Sequence, residues 1–242
     1  MAFNKDIANP FKKSGSYKAF FMMHDLFVKE AYIEPKMSLA MFLHKHKREA
    51  DLDEILETFY SETATYQVFR GLKSEREGHE SEALEHFLAA IGIEPDNTWV
   101  LKTAGVFALK RKGYGLGLHC YGKLCELLPD VKPYAINHCL CLIATGDTKT
   151  ALNKAYELDL SDETDNRVKR LLAWALICNG NGEKALQIYN ALTETDPLPD
   201  DVLNIAYAHW VNGNPSEAKN YLVQWKINHP DAKLEEEFDN DY

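Results

Sequence analysis

Features typical of membrane, secreted and disulfide-bonded proteins are scarce or missing in this sequence of 242 residues. No apolar run reaches the roughly 18–20 residues that a membrane-spanning helix needs, and the first six residues lack the apolar stretch of a secretory signal. The five cysteines are an odd number without framework spacing, and Asn214 precedes Pro215, which rules out the Asn-x-Ser pattern there as a glycosylation acceptor. We therefore expect free thiols, a cytoplasmic location and no membrane partner.

Short motifs for common enzyme chemistries are also missing. The sequence has no phosphate-binding loop, no zinc-protease motif, no nucleophile elbow and no dinucleotide fingerprint; Gly113 to Gly117 comes nearest, but no strand precedes it. Carboxylate pairs such as Glu75 and Glu77 fall at solvated helix ends, and nothing indicates a shared pocket. The sequence therefore predicts a protein that is not an enzyme and needs no cofactor.

Charge is unevenly distributed along the chain. The net charge is −10, which repels a phosphate backbone, although residues 1–50 carry nine basic and five acidic side chains. The densest basic stretch, 44–48, follows the apolar segment 37–43, where cations favourably meet the carbonyl groups at a helix C-terminus. We predict no nucleic-acid partner, and we expect residues 233–242 to form a solvated acidic tail.

A period of 34 residues organises most of the chain. Glycines recur at spacings of 68, 34 and 33 residues, each followed five residues later by alanine: Gly78, Gly146, Gly180 and Gly213, with Ala83, Ala151, Ala185 and Ala218. The 68-residue interval between Gly78 and Gly146 is twice the period, and Lys112 and Gly117 occupy the two places at which a glycine and an alanine would be expected within it. Two further places recur in each unit, the first mostly aromatic and the second mostly proline: Phe87, Tyr121, Ala155, Tyr189 and Leu222, then Pro95, Pro129, Glu163, Pro197 and Pro230.

Two antiparallel amphipathic helices per unit account for this pattern. Glycine at mid-unit lets the first helix end in a left-handed residue, and the small residue of the second helix lets the two backbones approach closely. The aromatic residue fills the space beside the crossing, and proline ends the unit. Since one hairpin cannot cover its own apolar faces, neighbouring hairpins must stack into a right-handed curved solenoid with a concave groove.

In these residues the chain resembles tetratricopeptide-repeat (TPR) proteins. The motif's small, turn, aromatic and terminating places are best matched in the unit 64–97, by Gly71, Gly78, Ala83, Phe87, Ala90 and Pro95. The next units run over 98–131, 132–165, 166–198 and 199–232. The resemblance implies an all-α, right-handed TPR-like solenoid, and stretches such as 172–176 and 203–210 are similar to the C-terminal repeats of large, uncharacterised bacterial TPR proteins.

Residues 1–61 fall outside the clear repeat register. Helical periodicity predicts a helix at 17–34 and two more at about 36–48 and 52–61. We expect residues 1–61 to form an N-terminal helical cap or a degenerate repeat, followed by five units over 62–232 and the tail at 233–242.

A group of cysteines and histidines raises the alternative of a zinc or thiol site, because both are common zinc ligands. Its members are His119, Cys120, Cys125, His138, Cys139 and Cys141. Cys139 and Cys141 do not form a CxxC knuckle, and Cys139 occupies a place that holds a small residue in other units. We therefore predict core residues and no bound metal.

The resemblance further implies that the first helices of successive units line the groove. On that side the register places Trp99, Lys102, Val106, Asn137, Leu140, Arg167, Arg170, Trp174, Ile177, Tyr207 and Trp210. Aromatic residues and arginine are enriched at binding hot spots, although Trp174 and Trp210 could instead pack between helices. Lys102, Asn137 and Arg167 also match three of the five places at which some TPR co-chaperones grip a C-terminal carboxylate; Val106 and Leu171 do not match.

These observations predict a non-catalytic scaffold that holds a peptide or helix of another protein in its groove. The predicted peptide-binding residues are Trp99, Lys102, Asn137, Leu140, Arg167, Arg170, Trp174, Tyr207 and Trp210. The alternative is a regulatory or scaffolding region of a larger, enzyme-containing assembly. The sequence leaves homo-oligomerisation open.

Overall fold

The computed structural model describes residues 33–57, 62–161, 164–196 and 198–230. Within these ranges every element is an α-helix, as the repeat pattern predicts. The predicted tail at 233–242 and nearly all of the predicted helix at 17–34 lie outside the described residues. The chain divides into two compact units, residues 1–104 and residues 105–242.

The first unit holds two helical hairpins and the beginning of a fifth helix. Its helices are α1 (Ile33–Lys45), α2 (Glu49–Glu57), α3 (Ala64–Glu77), α4 (Glu80–Ile93) and α5 (Thr98–Lys110), the last of which continues into the second unit. The observed α1 and α2 correspond to the helices expected at 36–48 and 52–61, but each begins three residues earlier. Leucine and isoleucine side chains from α1 and α2 share a core with Tyr66 and Phe69 of α3.

The second unit continues the same alternation. Its helices are α6 (Tyr114–Leu127), α7 (Lys132–Ala144), α8 (Thr148–Ser161), α9 (Asn166–Cys178), α10 (Gly182–Thr195), α11 (Pro199–Val211) and α12 (Pro215–Asn228). Each of these helices contacts the next, and α9 also contacts α7 and α11. None of the described helices is both long and apolar enough to cross a membrane.

The same left-handed turn joins the two helices of six described hairpins. Its left-handed residues are Lys47, Gly78, Lys112, Gly146, Gly180 and Gly213, with φ from 54° to 92°. In each turn, the residue that follows the left-handed residue donates its N–H to a backbone carbonyl, at 2.8–3.0 Å. That carbonyl belongs to the residue four positions before the left-handed residue, as in the bond from His79 to Ser74. Lys112 thus takes the place of the glycine that the period lacks.

Small residues let helices pack closely, both within a hairpin and between successive hairpins. A β-carbon placed on Gly71 of α3 would lie 3.1 Å from ring atoms of Phe87 on α4, in the same hairpin. One placed on Gly117 of α6 would lie 2.8 Å from the sulfur of Cys141 on α7, the first helix of the next hairpin. The predicted alanine place is likewise closed to solvent, since Ala185 is fully buried. These contacts explain why the register needs small residues there.

Hydrogen bonds between a tyrosine and an asparagine join successive hairpins in the second unit. The Asn137 side chain of α7 is hydrogen-bonded to the Tyr121 hydroxyl of α6, and Asn204 of α11 is hydrogen-bonded to the Tyr189 hydroxyl of α10. Burial raises the pKa of Tyr121 to about 12 and raises the pKa of Tyr189 as well. Both tyrosines are therefore neutral core residues with a satisfied hydroxyl.

Candidate functional site

A row of large apolar side chains occupies the same repeat position on three successive first helices of the second unit. Leu140 lies on α7, Trp174 on α9 and Tyr207 on α11, at spacings of 34 and 33 residues. Leu140 is 37% exposed and Tyr207 is 36% exposed, whereas Trp174 is half-buried. Trp210, one turn after Tyr207 on α11, is 46% exposed. We call Leu140, Trp174, Tyr207 and Trp210 the apolar ladder.

Two members of the apolar ladder touch each other. The rings of Trp174 and Tyr207 meet edge to face, with centroids 5.8 Å apart and an interplanar angle of 70°. Trp174 also packs against the buried core of α9 and α10, so part of its indole belongs to the hydrophobic interior. Ile177, which was expected on the same face, is buried in that core.

Arg170, one turn before Trp174 on α9, is held by two aspartates. Its Nε donates to Asp201 Oδ1 at 2.9 Å and its Nη2 donates to Asp201 Oδ2 at 2.9 Å, which makes a bidentate pair. Its Nη1 donates to Asp196 Oδ2 at 3.0 Å, and Nη2 also donates to the Asp196 carbonyl. The Arg170 guanidinium lowers the pKa of the Asp196 carboxyl, and the Asn166 amide adds to this effect.

Two more of the predicted binding residues also have partners within the second unit. Arg167 donates from Nε and Nη2 to the two carboxylate oxygens of Asp165, at 3.1 and 2.7 Å, which lowers the pKa of that carboxyl. Asp165 also caps α9 by accepting from the Arg167 N–H. Asn137 is hydrogen-bonded to Tyr121. Polar groups expected to face a partner are thus already paired in the folded chain.

The remaining predicted binding residues, Trp99 and Lys102, belong to the first unit. Trp99 is half-buried and packs on Phe69, with ring centroids 5.5 Å apart. Lys102 is exposed on α5. Their participation in a binding site stays a prediction.

Three of the five cysteines are core residues, whereas Cys125 and Cys178 are partly buried and His119, which was also expected in the core, is exposed. All five are free thiols, and Cys120, Cys139 and Cys141 are fully buried. Burial raises the pKa of Cys120 to about 12 and the pKa values of Cys139 and Cys141 to about 11, so these thiols are protonated and unreactive near neutral pH. Among the described residues, no group of three or more His, Cys, Asp or Glu side chains is arranged to hold a metal ion.

Asp201 was not among the predicted site residues, although its position in the repeat register is unusual for an acid. The equivalent place is Tyr66 in the first unit of the register, Val100 in the second and Val168 in the fourth, and all three are buried. Asp201 is only 1% exposed at this place. An acid at a core position needs a cationic or hydrogen-bonding partner, and for Asp201 that partner is Arg170.

Comparisons with known proteins agree with this architecture. No family model matches the chain. The small glutamine-rich tetratricopeptide repeat-containing protein 2 of Mycosarcoma maydis is 29% identical over 97 residues, which is 40% of this chain. The chain spans 28% of the length of that relative.

Solved structures show the same fold at low sequence identity. The structure of pilF from Pseudomonas aeruginosa aligns with a TM-score of 0.56 and 16% identity, covering 82% of this chain and 92% of that one. YrrB, described as a TPR protein with an unusual peptide-binding site, aligns with a TM-score of 0.51 and 18% identity, covering 69% of this chain and 87% of YrrB.

The described residues have an all-helical TPR-like fold, and the resemblance to TPR proteins that the repeat pattern indicates is confirmed by the Mycosarcoma maydis relative and by the fold of the solved structures. The finer similarity to C-terminal repeats of large bacterial proteins stays a prediction, as do the cytoplasmic location and the boundaries at residues 61 and 232.

Proposed function

We propose that this chain is a non-catalytic protein-binding module, and that the apolar ladder binds a segment of another protein. The observation that carries the proposal is the recurrence of Leu140, Trp174 and Tyr207 at one repeat position, each accessible to solvent. Large apolar side chains that stay accessible on neighbouring helices are typical of protein-binding surfaces. Tryptophan and tyrosine are also the residues most enriched at binding hot spots.

The fold supports this proposal in two ways. The first helices of stacked hairpins present side chains along one face, so a partner can contact several hairpins at once. YrrB, which shares the fold, is described as having a peptide-binding site. The partner is a protein or peptide, and no cofactor takes part.

Removing the aromatic rings tests the proposal. The immobilised protein would be incubated with lysate of its own cells, and captured proteins would be quantified by mass spectrometry for the wild type, Trp174→Ala and Tyr207→Ala. Loss of a hot-spot aromatic commonly costs about 2 kcal/mol or more, which is about thirtyfold in affinity. We expect the specific partner to disappear with both variants.

Two controls separate binding from folding. Glu183→Ala alters an exposed residue of α10 and should capture the same proteins as the wild type. Tyr189→Ala removes a fully buried ring, costs about 3–5 kcal/mol and should lower the melting temperature first. If Trp174→Ala and Tyr207→Ala unfold the protein as readily as Tyr189→Ala, the ladder is core and the proposal is wrong.

A further inference from the structure

We propose that Asp201 determines the specificity of the apolar ladder: its carboxylate occupies the guanidinium of Arg170, so the surface selects an uncharged apolar segment and rejects a partner carboxylate. This inference rests on the function proposed above. Arg170, which the sequence predicts as a peptide-binding residue, then binds no carboxylate of the partner.

The nitrogens with which Arg170 could bind a partner carboxylate already have partners in the same chain. A guanidinium recognises a carboxylate through two parallel N–H groups, and Nε with Nη2 is one such pair. Asp201 takes this pair with both oxygens, at 2.9 Å each, and the other nitrogen, Nη1, donates to Asp196. A partner carboxylate would therefore have to displace an aspartate of the same chain.

Asp201 is fixed in place by burial and by a second hydrogen bond. It is 1% exposed, and its Oδ2 also accepts from the Leu198 N–H at 3.0 Å, at the beginning of α11. The Arg170 side chain is 15% exposed. Because a buried, unpaired charge is costly, displacing Asp201 would cost more free energy than a solvated partner carboxylate gains.

Other polar side chains predicted to bind the partner are also paired within the chain. Arg167 is paired with Asp165 through both oxygens, and Asn137 is hydrogen-bonded to Tyr121. Two of the places that a carboxylate clamp would use are thus engaged inside the chain. The solvent-accessible side chains of the apolar ladder are Leu140, Trp174, Tyr207 and Trp210. This apolar surface favours neutral apolar side chains of a partner.

A displayed library of random twelve-residue peptides is a suitable probe. Selections would be run on the wild type, on Asp201→Asn and on the control Asp200→Asn, which changes the adjacent exposed acid in the first turn of α11. Asparagine keeps an oxygen acceptor for the Leu198 N–H, and melting curves would show that the variants are folded. Peptides would be scored for binding that is lost with Trp174→Ala.

We expect wild-type and Asp200→Asn selections to yield apolar peptides depleted in aspartate and glutamate. Asp201→Asn keeps the shape of the side chain but removes the negative charge that offsets Arg170, so its selection should gain acidic peptides, which bind it about tenfold more tightly than they bind the wild type. A second measurement needs no variant: affinity of the wild type for its own peptides should stay constant between about 0.05 M and about 0.5 M salt, because no ion pair forms.

Three outcomes would overturn the inference. Wild-type selections dominated by acidic peptides, a steep fall in wild-type affinity with salt, or identical peptides from Asp201→Asn and Asp200→Asn would each show that Asp201 does not set specificity. In all three cases binding would still depend on Trp174, and the proposed function would stand. If no selected peptide depends on Trp174 or Tyr207, the proposed function fails and this inference fails with it.

Discussion

Gly105 lies against the ring of Tyr121 so closely that a β-carbon on Gly105 would be 3.1 Å from the ring atoms Cε2 and Cζ. The same two repeat places hold Cys139 and Ala155 in the next unit of the register, both fully buried in one core cluster. In one unit the first place holds glycine and the second holds a large ring, as in Gly105 and Tyr121. In the next unit the first place holds the larger residue Cys139 and the second holds the small residue Ala155. The volume at the helix crossing is shared between the two places.

Exchanging these volumes should show coupling. Ala155→Phe adds a ring opposite Cys139, and overpacking should cost about 1–3 kcal/mol of unfolding free energy. Combining it with Cys139→Gly restores the glycine–aromatic pair seen at Gly105 and Tyr121, so the double variant should be more stable than the sum of the single changes predicts. Denaturant unfolding of the four proteins in a double-mutant cycle measures this; strictly additive changes would contradict the pairing.

Lys112 is a second site where stability should change in a known direction. It has φ 54° in a turn whose other members in the second unit are glycines. A left-handed conformation costs a residue with a side chain about 1–2 kcal/mol, so Lys112→Gly should stabilise the protein by about 1 kcal/mol. Thermal melting checks the sign.

The reverse exchange is the control for this turn. Gly146 has φ 92°, and Gly146→Lys should destabilise the protein by a similar amount. Equal effects of the two substitutions, in the same direction, would rule out backbone strain as the cause.

Ala185 should tolerate no larger side chain. It is fully buried in the core cluster that α9, α10 and α11 share, so Ala185→Leu should cost about 1–3 kcal/mol through overpacking. Glu183 lies on the exposed side of α10, and Glu183→Ala should change stability by less than about 0.5 kcal/mol. Similar melting shifts for both would mean that the repeat register is misplaced.

His86 should make the first unit sensitive to acid. Burial lowers the pKa of His86 below its ordinary value of 6.5, and its Nδ1 lies 2.7 Å from Gln67 Oε1, to which it donates. Since the unfolded chain then binds a proton more readily than the folded one, stability should fall as the pH drops below 6.5 towards the lower folded-state pKa.

Replacing the imidazole tests that pH dependence. His86→Gln should flatten the curve of unfolding free energy against pH below pH 6.5. If the pH dependence of the unfolding free energy is unchanged in His86→Gln, titratable groups other than His86 cause it.

The repeat period predicted most of the fold because it reports the two strictest local requirements, a left-handed turn and a close helix crossing. It even located Lys112, a residue with no intrinsic preference for its conformation. Lys47 makes the same turn, but nothing in the sequence around it repeats at the period. The first hairpin was therefore predicted with its helices three residues too late.

The candidate site was predictable only in part. Register alone indicated that Leu140, Trp174 and Tyr207 share one face, because position in a repeat determines direction on a helix. It did not indicate that Arg170 is neutralised, since Asp196 and Asp201 lie 26 and 31 residues further along the chain. Which charges are free depends on contacts between hairpins, and these follow from packing rather than from periodicity.

The hydrogen bond between the tyrosine of one hairpin and the asparagine of the next also determines which hairpins are interchangeable. Tyr121 and Tyr189 hold one repeat place, and Asn137 and Asn204 hold its counterpart in the following hairpin. Excising residues 132–198 would bring Tyr121 to Asn204 and keep the junction, whereas excising 132–165 alone would set Tyr121 opposite Leu171 and leave its hydroxyl without that asparagine. Matched junctions of this kind make the second unit a modular array, in which hairpins are removed or duplicated in pairs.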